Sequence, residues 1–311
     1  MKRKKLRFIV LSAAAVLLLS TAGLYLVSAG IYRCIFSQRY TTAPEDAYSL
    51  EQFPQMTASR HTFSALQGHT LVGYLYQNVD GAKPKALVVF AHGLGAGGQR
   101  RYLPIVDYLV RSGYCVFAYD ATGNDESGGA SVGGLPQGCA DMDRAVTYAR
   151  GLEETAELPL ILFGYSWGAL SAGNTLNNHP DAAAVVLVAG CNRSMDLIEY
   201  LAELRVGKAA KIGLPFVELY EYLTYGAYAT DTAMDGFAAS DCGVMIVHGT
   251  EDTVVPMKYG YDLYAETYEN DPRFTFVRYV GRGHKIFTAY YKKLDESLMA
   301  QITAFCDNWV K

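Results

Sequence analysis

Little in these 311 residues points to a metal, a repeat architecture or a nucleic acid. The six cysteines include no C-x-x-C pair, so the spacing of a zinc ribbon or finger is missing. There is no internal repeat and no low-complexity tract, which leaves one large core or two small ones. Acidic residues are absent from the first 32 positions, which carry Lys2, Arg3, Lys4, Lys5 and Arg7. Those five cations leave −9 on the rest of a chain whose formal net charge is −4. So acidic a body argues against nucleic acid as a partner.

Charge of either sign is also absent from Phe8 to Ala29. As a helix this run would be about 33 Å long at ~1.5 Å per residue, enough to cross a bilayer core. It exceeds the usual h-region of a signal peptide, although Val27-Ser28-Ala29 has the small residues that a cleavage site needs. Basic residues crowd the N-terminal side, and only Arg33 and Arg39 follow closely. The positive-inside bias therefore predicts a single-pass anchor in the cell membrane with the body extracytoplasmic, or a secreted body if the segment is cleaved. Residues 1–30 read as tail and anchor, 31–59 as a polar stalk or lead-in, and 60–311 as the body. Cys115 and Cys242 sit in or beside apolar runs, as unpaired structural cysteines do. Cys34, just past the span, is a candidate for lipidation.

The body opens with two partly alternating runs, His61–Leu66 and Thr70–Gln77, split by Gly68, which predict an antiparallel edge hairpin. Then come nearly continuous apolar runs: Ala86–Ala91, Tyr114–Tyr119, Leu158–Phe163, Ala184–Ala189 and Gly243–Val247. Strands apolar on both faces belong to a parallel sheet covered by helices. Gln99–Arg111, Gly138–Arg150 and Trp167–Asn178 read as such helices, Phe274–Val280 as the last strand and Lys292–Val310 as a C-terminal helix. The alternation predicts a doubly wound α/β fold, whose chemistry gathers past the carboxyl ends of the strands.

The unusual residues fall at those ends. Gly164-Tyr165-Ser166-Trp167-Gly168 matches G-x-S-x-G, a strained strand-to-helix turn that lifts a serine hydroxyl above the sheet. Alone the pentapeptide is weak; a buried strand before it and a small-residue helix after it strengthen it. A serine nucleophile needs a base and the base needs an orienting acid. His61 and His69 lie in the edge hairpin, His179 precedes Pro180, and His92 and His248 end strands within His-Gly pairs suited to a backbone role. Only His284 stands in a loop after the final strand, in Gly281-Arg282-Gly283-His284. The loop His248–Pro256 (HGTEDTVVP) offers two carboxylates, Glu251 and Asp252. A competing signal is Gly93–Gly98 (GLGAGG), which satisfies G-x-G-x-x-G, with Asp120 ending the next strand as a ribose-binding acid would. On those residues alone the chain would be an NAD-dependent oxidoreductase, with the serine, histidine and carboxylate loops left as coincidence.

Taken together, the motifs resemble the α/β-hydrolase superfamily, whose acid commonly sits in H-G-x-x-D-x-x-V-P and whose histidine in a G-x-G-H-type loop. The resemblance covers about residues 60–311, in the family's order of Ser, Asp and His. It implies an eight-stranded, mostly parallel sheet, with Ser166 as nucleophile, His284 as base and Asp252 rather than Glu251 as acid. It further implies backbone N–H donors at Leu94 and Trp167 for the oxyanion, and a small helical cap at about 191–241. Trp167, bulky for its place, either narrows the acyl pocket or packs in the core. The cap's apolar spacing suits helices packed on something, or a lid for lipid-like groups. The activity implied is ester hydrolysis without metal or organic cofactor, as in monoacylglycerol-lipase and lysophospholipase-like relatives, on a small-molecule or lipid-like ester. Peptide or amide hydrolysis is the enzymatic alternative, and a non-catalytic binding protein the other; no motif fixes the substrate or the oligomeric state.

Overall fold

The computed structural model of the chain describes residues 2–287 and 293–310. Eight strands form one sheet: β1 (Met56–Ser64), β2 (Thr70–Asn78), β3 (Leu87–Ala91), β4 (Cys115–Asp120), β5 (Leu160–Tyr165), β6 (Ala184–Val188), β7 (Gly243–Gly249) and β8 (Phe274–Tyr279). Their order is β1-β2-β4-β3-β5-β6-β7-β8. β2 runs antiparallel to both β1 and β4, and every later pair is parallel. The edge hairpin runs in register from Met56↔Asn78 to Ser64↔Thr70, so it starts four residues before Arg60.

Among the described residues ten α-helices accompany the sheet: α1 (Lys2–Ile35), α2 (Leu103–Arg111), α3 (Leu135–Arg150), α4 (Trp167–Thr175), α5 (Ser194–Val206), α6 (Ala210–Tyr225), α7 (Ala227–Thr230), α8 (Ala233–Ala239), α9 (Tyr261–Tyr268) and α10 (Glu296–Trp309). Every residue of β3, β4, β6 and β7 is buried, because helices cover both faces. One core layer contains Phe117, Met142 and Leu187, and the other Phe90, Phe163 and Ile302. α3 starts three residues earlier than Gly138 because Pro136 fits the first turn, where its missing N–H costs nothing. The segment before α2 is a 3₁₀ turn, Gln99–Tyr102. Lys292, where the sequence starts the last helix, lies outside the described residues; α10 begins after Asp295, whose side chain caps the Leu298 N–H.

α1 is long and apolar enough to cross a membrane, and its most apolar stretch touches nothing else in the chain. The helix does not stop where the apolar run stops. It continues to Ile35 and buries Ser28, Ala29, Tyr32 and Phe36 in the body. The residues that follow are packed rather than a free stalk. Arg39 donates to the carbonyls of Ser127 and Gly129, Tyr40 bridges to Asn124, and the Thr42 hydroxyl donates to Asp125 at 2.6 Å. Of the six cysteines, all unpaired, only Cys34 is exposed.

Candidate active site

At the carboxyl end of β5 the chain turns sharply into α4, and Ser166 sits on the turn with φ 57° and ψ −115°. A positive φ at a residue with a side chain costs on the order of 1–3 kcal/mol, and surrounding packing must hold it. Two glycines make the turn possible. A Cβ on Gly164 would overlap the Gly168 carbonyl, and one on Gly168 would overlap the Ala91 carbonyl of β3. The Gly168→Ala variant should therefore lower Tm and activity together, since β3 and α4 would have to separate. A thermal melt matching wild type would show that the turn has more room than this.

His284, in the loop after β8, directs Nε2 at the Ser166 Oγ (2.8 Å) and Nδ1 at Asp252 Oδ2 (2.7 Å). Asp252, in the loop after β7, is buried, and its Oδ1 accepts the N–H groups of Val254 and Val255 at 2.9 Å each. Burial alone would raise its pKa, but hydrogen bonds from His248 and His284 and the charge of His284 outweigh that. The carboxyl is held well below the usual carboxylate range. Glu251, by contrast, is exposed; its backbone N–H bonds to Arg282 O (2.8 Å), which ties the acid loop to the histidine loop. Thr250 Oγ1 does the same by accepting the Gly281 N–H at 2.9 Å. Three loops from three strands thus converge on one line of hydrogen bonds.

Comparisons with known proteins agree with this architecture. Residues 82–216 match the family model described as serine aminopeptidase, S33. That stretch includes Ser166 and ends before Asp252 and His284. An uncharacterized protein, YfhR, of Salmonella typhi is 27% identical over 66% of this chain and 68% of its own length. Among solved structures, a Pyrococcus furiosus esterase, Pf2001, superposes with a TM-score of 0.65 at 13% identity, covering 89% of this chain and 99% of its own. A Pyrococcus horikoshii acylaminoacyl peptidase gives 0.61 at 13% identity, over 84% of this chain and 43% of its own. The chain has the α/β-hydrolase fold.

Other residues of this fold support the same line, and motifs alone do not reveal them. His248 is wholly buried; its Nε2 contacts Val255 O (2.8 Å) and Asp252 Oδ2 (3.3 Å), so a second imidazole faces the carboxylate. Tyr165, the variable residue before the serine, donates its hydroxyl to the His284 carbonyl at 3.0 Å. The remaining histidines are engaged elsewhere. His92 Nε2 accepts the Ala121 N–H (3.0 Å) while Nδ1 donates to Gly93 O (2.8 Å), and burial lowers its basicity. His61, His69 and His179 bond to Tyr148, Thr122 and Asp143.

The glycine-rich loop after β3 is filled by the protein itself. A side chain on Gly97 would overlap Thr42, and one on Gly98 would overlap the Asp120 carboxylate. Asp120 is fully buried and accepts the N–H groups of Gln99 (2.8 Å) and Glu126 (3.2 Å). Burial pushes its acid up to about 7 against those two bonds. No carboxylate is left open there for a ribose, so the dinucleotide alternative loses the residue it rested on.

A cavity of about 250 Å³ opens beside Ser166 and His284, walled by Tyr48, Leu94, Tyr102, Ile105, Phe287 and Leu294. Arg101, paired with Asp46 at 2.6 Å, and Lys285 stand at the same wall. Trp167 is not part of it: its indole is buried and donates to Leu135 O at 2.8 Å. Among the described residues, none from the helical segment 191–241 lines this cavity. Those helices lie beside the site instead, where Tyr200 of α5 donates to Thr253 O (3.0 Å). From the lead-in, Tyr48 joins the body residues in the cavity wall.

Proposed function

We propose that the protein is a serine hydrolase that cleaves a carboxylic ester through an acyl-serine at Ser166. The observation that carries this reading is the unbroken sequence of hydrogen bonds Asp252–His284–Ser166. His284 Nε2 takes the Ser166 proton as Oγ attacks the ester carbonyl, and the imidazolium is stabilised by the buried Asp252. The tetrahedral oxyanion is held by the N–H groups of Leu94 and Trp167. Trp167 is the first residue of α4, where backbone donors have no partner within the helix. His284 then passes the proton to the leaving alcohol, and water repeats the sequence to release the acid. The apolar and aromatic cavity wall suits the acyl part of an ester.

A fluorophosphonate probe should label the wild-type protein, and a panel of p-nitrophenyl esters of increasing chain length should give turnover. Absence of both would favour a binding protein without catalysis. The family model matched and the peptidase neighbour favour amide or peptide hydrolysis as the second reading. Turnover of aminoacyl p-nitroanilides that exceeds that of the esters would establish it.

The cationic start and apolar α1 support an uncleaved anchor with the body on the far side of the membrane from residues 2–7. Full-length protein should remain with membranes after a carbonate wash, and protease added outside cells should reach the body. A soluble form starting near Gly30 would instead establish secretion after cleavage. Such a form would keep Tyr32 and Phe36 and lose the buried contacts of Ser28 and Ala29.

A further inference from the structure

α1 enters the body at the edge of the sheet that carries Ser166. Its Tyr32 hydroxyl accepts the Leu135 N–H (3.3 Å) at the start of α3, reached from the carboxyl end of β4. The same hydroxyl donates to the buried Glu221 of α6 at 2.5 Å. Glu221 also receives the hydroxyl of Ser194, the first residue after the loop that leaves β6, at 2.7 Å. Burial raises the acid of Glu221 to about 7 against the hydrogen bonds from Tyr32 and Ser194. The anchor is thus fastened to the loops that follow β4 and β6, on either side of the β5 elbow.

The packing of α6 on α1 also sets a level. Gly213 lies against Ser28, and further along both helices Tyr220 packs on Tyr32 with ring centroids 5.4 Å apart. The two helices therefore run side by side in the same direction. The turn between α5 and α6, Gly207–Ala209, and the helix ends that flank it precede Gly213 and so lie alongside the last turns of the apolar run that ends at Ala29. Apolar residues crowd that end: Leu204, Val206 and Ile212 are each more than 60% exposed, with Leu219 and Leu223 exposed further along α6. Arg205, Lys208 and Lys211 stand exposed among them, with Lys211 near Glu203 at 3.7 Å. Apolar residues edged by cations on a helical surface suit the boundary between acyl chains and phosphate headgroups.

We propose that the α5–α6 turn is seated in the same bilayer as α1, so that the body rests on the membrane with the carboxyl edge of the sheet facing it. The occupant of this apolar surface is lipid, because the surface continues directly from the anchor at the depth where the anchor is still apolar. Leu204, Val206 and Ile212 enter the acyl boundary, roughly 5–10 Å below the headgroups. Leu219 and Leu223 lie shallower, at headgroup level. The inference rests on α1 being retained as an anchor, which the carbonate wash tests separately. It does not depend on the ester reading.

The test uses the full chain, with Cys34→Ser removing the one exposed thiol, reconstituted in vesicles of equal phosphatidylcholine and phosphatidylglycerol. A polarity-sensitive fluorophore is placed in turn at Ile212→Cys, Leu223→Cys and Val79→Cys. Val79 is exposed beyond the end of β2, at the opposite edge of the sheet. All three sites are exposed, so the label should not disturb folding, and a thermal melt checks each preparation. The expected result is blue-shifted emission at Ile212, quenched by doxyl groups on the acyl chains, with less quenching at Leu223 and none at Val79. Emission at Ile212 that matches Val79 would overturn the proposal. So would a blue shift at Ile212 without doxyl quenching, which would mean that protein, not lipid, covers the turn. If Ser166→Ala kept full esterase activity the catalytic reading would fall, and these fluorescence results would stand unchanged.

Discussion

Replacing Ser166 by Ala should lower kcat/KM for a p-nitrophenyl ester by about 10³-fold or more, roughly 4 kcal/mol of transition-state stabilisation. On the proposed mechanism the loss should be nearly all in kcat, because the substitution removes the attacking hydroxyl and leaves the cavity wall untouched. Folding should not suffer. Alanine keeps the Cβ that already sits at φ 57°, and the hydroxyl's partner, His284 Nε2, lies at a half-buried position where water can replace it. The check is a pair of measurements on one preparation, a thermal melt and steady-state kinetics. An unchanged melt with undiminished turnover would move the nucleophile elsewhere.

Asp252→Asn should cost about as much, on the order of 10³- to 10⁴-fold. An amide cannot accept from Val254, Val255, His248 and His284 with both of its heavy atoms, because one of them is now a donor. The imidazole would lose both the partner that fixes its tautomer and the charge that stabilises its protonated form. Glu251→Gln should change the rate little, since the Glu251 side chain is exposed and its backbone alone joins the two loops. The single mutants assayed side by side decide the matter: a larger loss at Glu251 would shift the acid by one residue. Stability gives an independent reading. A carboxyl held far below its unfolded value near ~3.9 contributes stability above that pH, and the contribution is lost as pH falls. The gap in stability between wild type and Asp252→Asn should therefore narrow below about pH 4.

The sheet was legible in the sequence because β3 to β7 are apolar on both faces and short, a pattern that burial between helices enforces. The elbow was legible because its two glycines answer to a steric need that no other residue meets, as the overlaps at Gly164 and Gly168 make plain. The contribution of His248 was not legible: a His-Gly pair ending a strand says nothing of a 3.3 Å approach to a carboxylate four residues on. Nor could hydropathy distinguish the exposed part of α1 from its last turns, since Tyr32 and Phe36 are as apolar when facing lipid as when facing α6. The apolar spacing of residues 197–225 correctly indicated helices, and left their partner open. That partner includes α1, with Tyr32 between α6 and α3, and the lead-in adds Tyr48 to the cavity wall. The glycine-rich loop misled in one respect, because the sequence cannot show that Thr42 and Asp120 already occupy the space a pyrophosphate and ribose would need.

The most direct test of the central claim is to trap the enzyme during turnover of a p-nitrophenyl ester by acid quench and to map the adduct by peptide mass spectrometry. The account predicts one acyl group, on the peptide that carries Gly164-Tyr165-Ser166-Trp167-Gly168, localised to Ser166 and absent from the Ser166→Ala protein. An acyl group on any other residue, or steady turnover in a Ser166→Ala protein that forms no adduct, would contradict it.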